Sequence, residues 1–305
     1  MKTGCFLSPR TIVNLCTFLL FFSCFSAIAQ PGKNGSLTVN SLNTVVNCYS
    51  VVTTTISAGT STVTTDNSCT IECGDLVMIY QAQGASINTS NTDQYGTITG
   101  YNSSGFYEFN YVVSNAGGVL TVQSPWVNNY SAAGRTQIIK VPQYTTLTVN
   151  AGASIVPLAW QDVSGYRKGG VVAIHATGTV LVNGSIKATA FGFRPGSIEQ
   201  NSTNSGDPEV ADFLTNSSVR SAEKGEGIAG FGSEYDLLGG RYGRGAPANG
   251  GGGGNGHNAG GGGGSNANNG NVYNGQGVMC TSCAGSVAWS LDPFVISNGN
   301  VLTNS

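Results

Sequence analysis

Charge is what this sequence has least of. In 305 residues, 13 Lys and Arg stand against 15 Asp and Glu, 9% in all, where an ordinary soluble domain carries about 25%. That scarcity argues against a cytosolic enzyme, a helical bundle and an electrostatic nucleic-acid binder. The net charge of −2 comes without a basic cluster, so nothing marks nucleic acid as a partner. Histidine is nearly missing too, at two residues. His175 follows Val172 and Ile174 in a strand-like run and reads as an outward-pointing side chain. His257 sits between glycine blocks, where it would hydrogen-bond to exposed carbonyls sooner than ligate a metal. There is no Gly-x-Ser-x-Gly elbow, and the glycines from 245 to 256 lack the Gly-Lys-Ser/Thr ending of a phosphate loop. Asp207, Glu209 and Asp212 lie in a polar Ser- and Asn-rich stretch, read as a solvated loop and not as a glycosidase pair or calcium site. Helical periodicity is missing throughout. No catalytic residue, no cofactor and no metal are therefore expected.

What is abundant is glycine, 45 residues, or about twice the average usage of roughly 7%. With 40% apolar residues and a polar remainder of Ser, Thr and Asn, the chain is no disordered acidic tail. Lys2 and Arg10 precede an apolar run over residues 15–25, and Ala27-Ile28-Ala29 follows as a small-x-small cleavage site. This is the order of a secretory signal peptide over residues 1–29. Acylation of Cys24 is the weaker reading, because Phe21-Phe22-Ser23 is a poor lead-in. No later segment is long enough to span a membrane as a helix, which needs about 20 apolar residues. The expected address is the cell exterior, secreted or on the outer surface.

Five of the eight cysteines survive removal of the leader: Cys48, Cys69, Cys73, Cys280 and Cys283. In an exported chain, bridges among the first three and between the last two are expected. Cys280-Thr281-Ser282-Cys283 follows a glycine-rich tract and no strand–helix unit, so a redox role lacks the helix N-terminus that would activate a thiol. The odd count leaves one thiol over and hints at a missing downstream half.

Three textures come after the leader. Residues 30–143 read as short strands at 44–56, 76–81, 95–101, 107–113, 119–122 and 137–141, rich in β-branched and aromatic residues. Gly74-Asp75 marks a turn into a buried strand. Asn102-Ser103-Ser104-Gly105 marks a hairpin pairing 95–101 with 107–113. A small antiparallel barrel or sandwich is expected. From 144 to 224, Thr146-Leu147-Thr148-Val149-Asn150 nearly recurs as Thr179-Val180-Leu181-Val182-Asn183. Short strands ending in Asn-Gly or Asn-Ala-Gly turns look like β-solenoid rungs, with a polar loop after them. From 225 to 305 the chain is glycine-rich, with 22 glycines among residues 225–277. A flexible linker is one reading. Spacers of Asn, Ala, His, Tyr and Arg favour the other, ordered packing of threads that glycine lets approach closely.

Aromatic residues are the best lead to a binding surface. Tyr101, Phe106, Tyr107, Phe109 and Tyr111 cluster around the expected hairpin, and Trp126 and Tyr130 come next. Tyr101, Tyr107, Trp126 and Tyr130 are the candidate ligand contacts, against the alternative that such side chains fill the core.

Several strings together are more specific than composition: residues 74–85, from Gly74-Asp75-Leu76-Val77 to Gln83-Gly84-Ala85; Tyr95-Gly96-Thr97-Ile98-Thr99-Gly100-Tyr101-Asn102; Lys140-Val141-Pro142-Gln143-Tyr144-Thr145; Gly225-Glu226-Gly227-Ile228-Ala229-Gly230; and Arg244-Gly245-Ala246-Pro247. In this order they resemble the N-terminal module of very large exported surface proteins of gliding Bacteroidota, over most of residues 45–300. The resemblance implies a type 9 secretion substrate, adhesin-like and possessed of no known catalytic residues. Its partners would be extracellular polysaccharide or envelope proteins, besides the secretion machinery. Members of that family usually run on into repeats and a C-terminal sorting region, so this chain is expected to be a truncated piece. The expected role is structural and adhesive. A carbohydrate-binding module is the first rival, and a polysaccharide-acting enzyme the second.

Overall fold

A computed structural model describes residues 31–163, 166–197, 212–218 and 221–254. The described chain is nearly all β, and its one helix, α1 (Ser233–Asp236), is a single turn. The first strand, β1 (Ser36–Val39), stands apart from the strands next in the chain and joins a stack described below. The chain then builds a six-stranded sheet from β2 (Cys48–Val51), β3 (Thr62–Thr64), β4 (Leu76–Gln81), β7 (Tyr107–Ala116), β8 (Val119–Val122) and β9 (Thr136–Val141). A small ribbon of β5 (Ser86–Ile87) and β6 (Ile98–Gly100) projects between β4 and β7. The sheet order is β2-β9-β4-β7-β8-β3, and every neighbouring pair is antiparallel.

β7 pairs with β4 through its first half and with β8 through its second, with a register shift between Val112 and Ser114. Such an irregularity bends a strand and adds twist. The sheet curls until its two edge strands meet, Val52 bridging Thr65 and Thr53 N donating to Thr64 O at 3.0 Å. The inside of the curl is filled by Val63, Val77, Ile79, Val112, Leu120, Ile138, Trp126 and Tyr130 among others. The Cys48–Cys69 disulfide ties β2 to the segment ahead of β4 across 21 residues, a loop whose closure stabilises by about 3 kcal/mol.

The expected hairpin partner is corrected. The 102–105 turn forms, with Ser104 N donating to Tyr101 O at 2.8 Å. However, Gln81 N donates to Phe106 O and Gly105 N to Gln81 O, so the strand leaving the turn lies beside β4, and β6 pairs with β5. Long-range pairing with a central strand outweighs the local turn.

β4 and β9 are buried on both faces, which is why they read as near-continuous apolar runs. Val77 and Ile79 face inward, while Leu76 and Met78 join Tyr49, Ile139 and Val141 on the outside. Residues 169–174 cover that outer face. Gln137 exchanges two hydrogen bonds with Gly169 (2.9 and 3.0 Å), Tyr49 Oη donates to Val171 O at 2.6 Å, and Asn47 holds both backbone groups of Ala173. Alternation along this cover serves two cores: Val171 and Ala173 pack on the sheet, Val172 and Ile174 on the stack.

The stack consists of β1, β11 (Thr146–Val149) and β16 (Val180–Val182), parallel and in register, Leu37 beside Leu147 beside Val180 and Val39 beside Val149 beside Val182. Beside it run β10 (Gln143–Tyr144) with β15 (His175–Ala176) and β12 (Ser154–Ile155) with β17 (Ser185–Ile186), again parallel. An antiparallel pair, β13 (Gln161–Val163) and β14 (Tyr166–Lys168), completes the strands. The first strand of the stack therefore comes from residues 36–39, which the sequence places with the preceding 30–143 segment, and the whole curled sheet is inserted between β1 and β11.

The glycine-rich section is packed as far as it is described. Gly225 N donates to Gly251 O and Ala222 N to Gly254 O, both at 2.8 Å. A Cβ on Gly250 would come within 2.7 Å of Gly225 O, so only glycine permits these threads to lie together. The section docks on the β5–β6 ribbon, where Phe213 closes over Ile87 and Tyr95.

Candidate functional site

The outer face of the six-stranded sheet is only partly covered. Opposite pairs on β4 and β7 share that face: Leu76 with Tyr111, Met78 with Phe109, Tyr80 with Tyr107. Leu158, Val171 and Ala173 lie over the β2–β9–β4 side, and among the described residues the cover ends beyond them. Tyr107 is left 57% exposed and Phe109 52%, with ring centroids 6.0 Å apart at 81°. Tyr101 at 58% and Phe106 at 44% extend the aromatic exposure around the preceding turn. Tyr80 borders the strip, and burial raises its phenol above the ordinary value. Single exposed apolar residues are common, but a contiguous aromatic group on a sheet is not.

The back of β7 holds the strip rigid. Glu108 Oε1 accepts from Asn128 N, Asn128 Nδ2 and Tyr130 Oη at 2.8 to 2.9 Å, and Oε2 accepts from Val127 N at 2.9 Å. Burial works to raise this carboxyl, yet those four donors outweigh it and hold it below the usual carboxylate range. Asn110 clamps both backbone groups of Ser124. The strand presenting Tyr107 and Phe109 is thus fixed on one side by the β4 ladder and beneath by polar clamps.

Trp126 and Tyr130 are corrected as ligand contacts, being 1% and 0% exposed. Their segment folds under the sheet, where Trp126 N donates to Thr60 O and Tyr130 bridges Ile56 through both backbone groups. The Glu108 carboxylate that captures the Tyr130 hydroxyl draws the ring inward. Tyr101 and Tyr107 are at the surface. Of the candidate disulfide cysteines, Cys48 and Cys69 are joined, Cys73 stands outside that bridge, and Cys280 and Cys283 lie outside the described residues. His175 is half-buried, on β15. His257, Asp207 and Glu209 also lie outside the described residues, and Asp212 accepts from Asn91 Nδ2 at 3.0 Å.

Sequence reasoning missed a buried ionic network. Glu226, 0% exposed, accepts from Trp160 Nε1 at 2.9 Å and Arg194 Nε at 2.8 Å, and Gln83 Nε2 reaches it at 3.1 Å. Arg167 joins Gln83 Oε1 to Glu234 Oε2, and Arg135 holds the other Glu234 oxygen. Burial pushes the Glu234 carboxyl up, but Arg167 and Arg135 keep it below its ordinary range. The network joins the curled sheet, the β13–β14 pair and the glycine-rich section. Isolated Arg and Glu residues spread from 135 to 234, with Gln83 far ahead of them, gave no local signal for it. Lys224 is likewise fully buried, donating to the carbonyls of Phe213, Gly243 and Gly245 at 2.6, 2.9 and 2.6 Å over the Tyr95 ring. Burial draws its ammonium down to about 7.

No helix among the described residues is long and apolar enough to cross a membrane. No family model matches the chain, and no curated protein matches it. Solved structures similar to it include three phage tailspikes. Gp54 of Acinetobacter baumannii bacteriophage AP22, in complex with A. baumannii capsular saccharide, is 16% identical, with a TM-score of 0.25 over 49% of this chain and 27% of that one. Gp61 of Pseudomonas phage phi297 is 14% identical, with a TM-score of 0.23 over 41% and 22%. Gp49 of Pseudomonas phage LKA1 is 14% identical, with a TM-score of 0.22 over 42% and 27%. The matches thus span about a quarter of the length of those tailspikes.

Proposed function

We propose that this chain is an exported, non-enzymatic module of a larger cell-surface protein of the gliding-Bacteroidota type, and that it works by contact. Its leader and the type 9 machinery would carry it out of the cell. Its curled sheet is read as a small barrel, and β1, β11 and β16 as rungs of a short β-solenoid. The contact surface is the aromatic strip of Tyr101, Phe106, Tyr107 and Phe109, and the partner is extracellular polysaccharide. Sugar rings present flat C–H faces that stack on aromatic rings, which supply area at little conformational cost. The single observation that carries this reading is the exposed Tyr107–Phe109 pair on a strand clamped from behind. A rigid strip has little entropy to lose on binding.

The test is binding of the mature chain to a panel of bacterial and plant polysaccharides, with Tyr107→Ala/Phe109→Ala alongside. At least one polysaccharide should bind, and the double variant should lose tenfold or more, about 1.4 kcal/mol. Binding to none, or binding unaffected by the double variant, would sink the aromatic reading. Release of reducing ends would overturn the non-enzymatic one.

A further inference from the structure

The stack of β1, β11 and β16 ends in two open edges. Among the described residues β11 is the one strand neighbour of β1 and also of β16. Leu147 N donates to Thr179 O and Asn183 N to Val149 O, so β16 turns its odd-numbered backbone groups toward β11. Thr145 N donates to Gly35 O and Asn150 N to Val39 O, so β1 does the same. In a parallel ladder alternate residues bond to opposite sides. The N–H and C=O groups of Val180 and Val182 therefore face outward at one end of the stack, and those of Ser36 and Thr38 at the other.

Both ends also leave apolar side chains in the open. Val180 and Val182 are 51% and 44% exposed, with Ile186 of β17 beside them at 42%. At the β1 end Leu42 and Val45 are 66% and 46% exposed. They flank Thr44, which bridges Ile155 from the side opposite Ile186. Sheet edges are commonly blunted by charge, by proline or by a covering segment. Residues 36–45 and 178–186 contain no Asp, Glu, Lys, Arg or Pro.

We propose that the two edges fit each other, so that copies of this chain join head to tail, β16 of one against β1 of the next. The ladder itself sets the register. Leu37, Leu147 and Val180 are successive partners along the stack, and so are Val39, Val149 and Val182. One more step in the same sense puts Leu37 of the next copy beside Val180, and its Val39 beside Val182. The outward groups then match. Val180 N–H meets the Ser36 carbonyl of the next copy, and Val180 C=O meets its Thr38 N–H. Val182 is bracketed in the same way by Thr38 and Asn40. Both inward columns continue with apolar residues alone, and Ile186 falls beside Thr44 of the next copy, between Leu42 and Val45. Two different edges meet, so the contact is heterologous and each joined pair keeps one free edge at either end.

The test is sedimentation velocity on residues 30–305 over a dilution series, beside two variants each blocked at one edge. Val180→Lys/Val182→Lys puts charge on the β16 edge, and Thr38→Pro takes an outward N–H from the β1 edge. Wild type should form species larger than a dimer as its concentration rises. Each variant alone should associate more weakly by roughly tenfold or more. An equimolar mixture of the two variants should give a heterodimer and nothing larger, because each keeps one working edge. Exchange protection of the Ile79 and Leu147 amides reports that the curled sheet and the stack are folded in each variant. Where it is lost, Ser36→Pro replaces Thr38→Pro and Val180→Lys alone replaces the double variant. A wild-type chain that stays monomeric throughout, one that stops at a dimer, or blocked variants that do not pair in the mixture would each overturn the proposal.

Discussion

Two pairs of aromatic residues with the same chemistry have opposite fates in this fold. Trp126 and Tyr130 are sealed under the sheet, while Tyr107 and Phe109 lie open on its far side. Trp126→Ala leaves a cavity and should cost about 3–5 kcal/mol in chemical denaturation. Tyr107→Ala and Phe109→Ala should each fall within about 1 kcal/mol of wild type. The sequence showed that aromatics cluster here. It could not show which are covered, because that depends on Glu108 on the back of β7 and on where residues 169–174 stop. Lys224 makes a pH-dependent prediction. Its folded value is drawn down to about 7, while an unfolded lysine titrates near 10.4. Between those values the unfolded chain holds a proton that the folded chain has shed, so raising the pH favours folding. Below about 7 both states are charged and the cost of burial is felt in full. Stability measured by denaturant unfolding should climb from pH 7 toward pH 10. The climb should vanish in Lys224→Met. Above pH 10 the trend should reverse, since burial raises Tyr49 and Tyr95 to about 12 and the unfolded chain then loses its phenolic protons first.

At the scale of elements, the strands that read most plainly are those with a single strong pattern. β4 and β8 fall at residues 76–81 and 119–122 as their β-branched runs imply. β7 overruns its expected end to Ala116, because its second half leaves β4 and finds β8. Pairing partners were less legible than strands. The 102–105 turn is real, yet Gln81 captures the backbone on both sides of it, a long-range contact that no local window contains. In the same way β1 carries too short a string to announce that it belongs with β11. The glycine-rich section was legible in kind, since its spacers are not those of a linker, but its docking rests on Glu226 and Lys224, single residues without a pattern. Gly250→Val should tear these threads apart, because its Cβ has nowhere to go beside Gly225 O. Exchange protection should fall over residues 222–254 while the Ile79 and Ile138 amides keep theirs.

Across the whole molecule, the insertion of the curled sheet into the stack has a mechanical consequence. The chain enters the sheet at Cys48 and leaves it beside Lys140, and those residues are direct cross-strand neighbours on β2 and β9. The two ends of the inserted unit are therefore one strand spacing apart, about 4.8 Å, and are already bonded to each other. A pull between the ends of the stack runs from β1 to β11 to β16 as a sliding load across in-register parallel ladders. Many hydrogen bonds must then fail together before the chain lengthens. The curled sheet hangs beside that line of force and carries almost none of it. The exposed Tyr107–Phe109 pair mounted there keeps its shape under tension, while the stack takes up the strain.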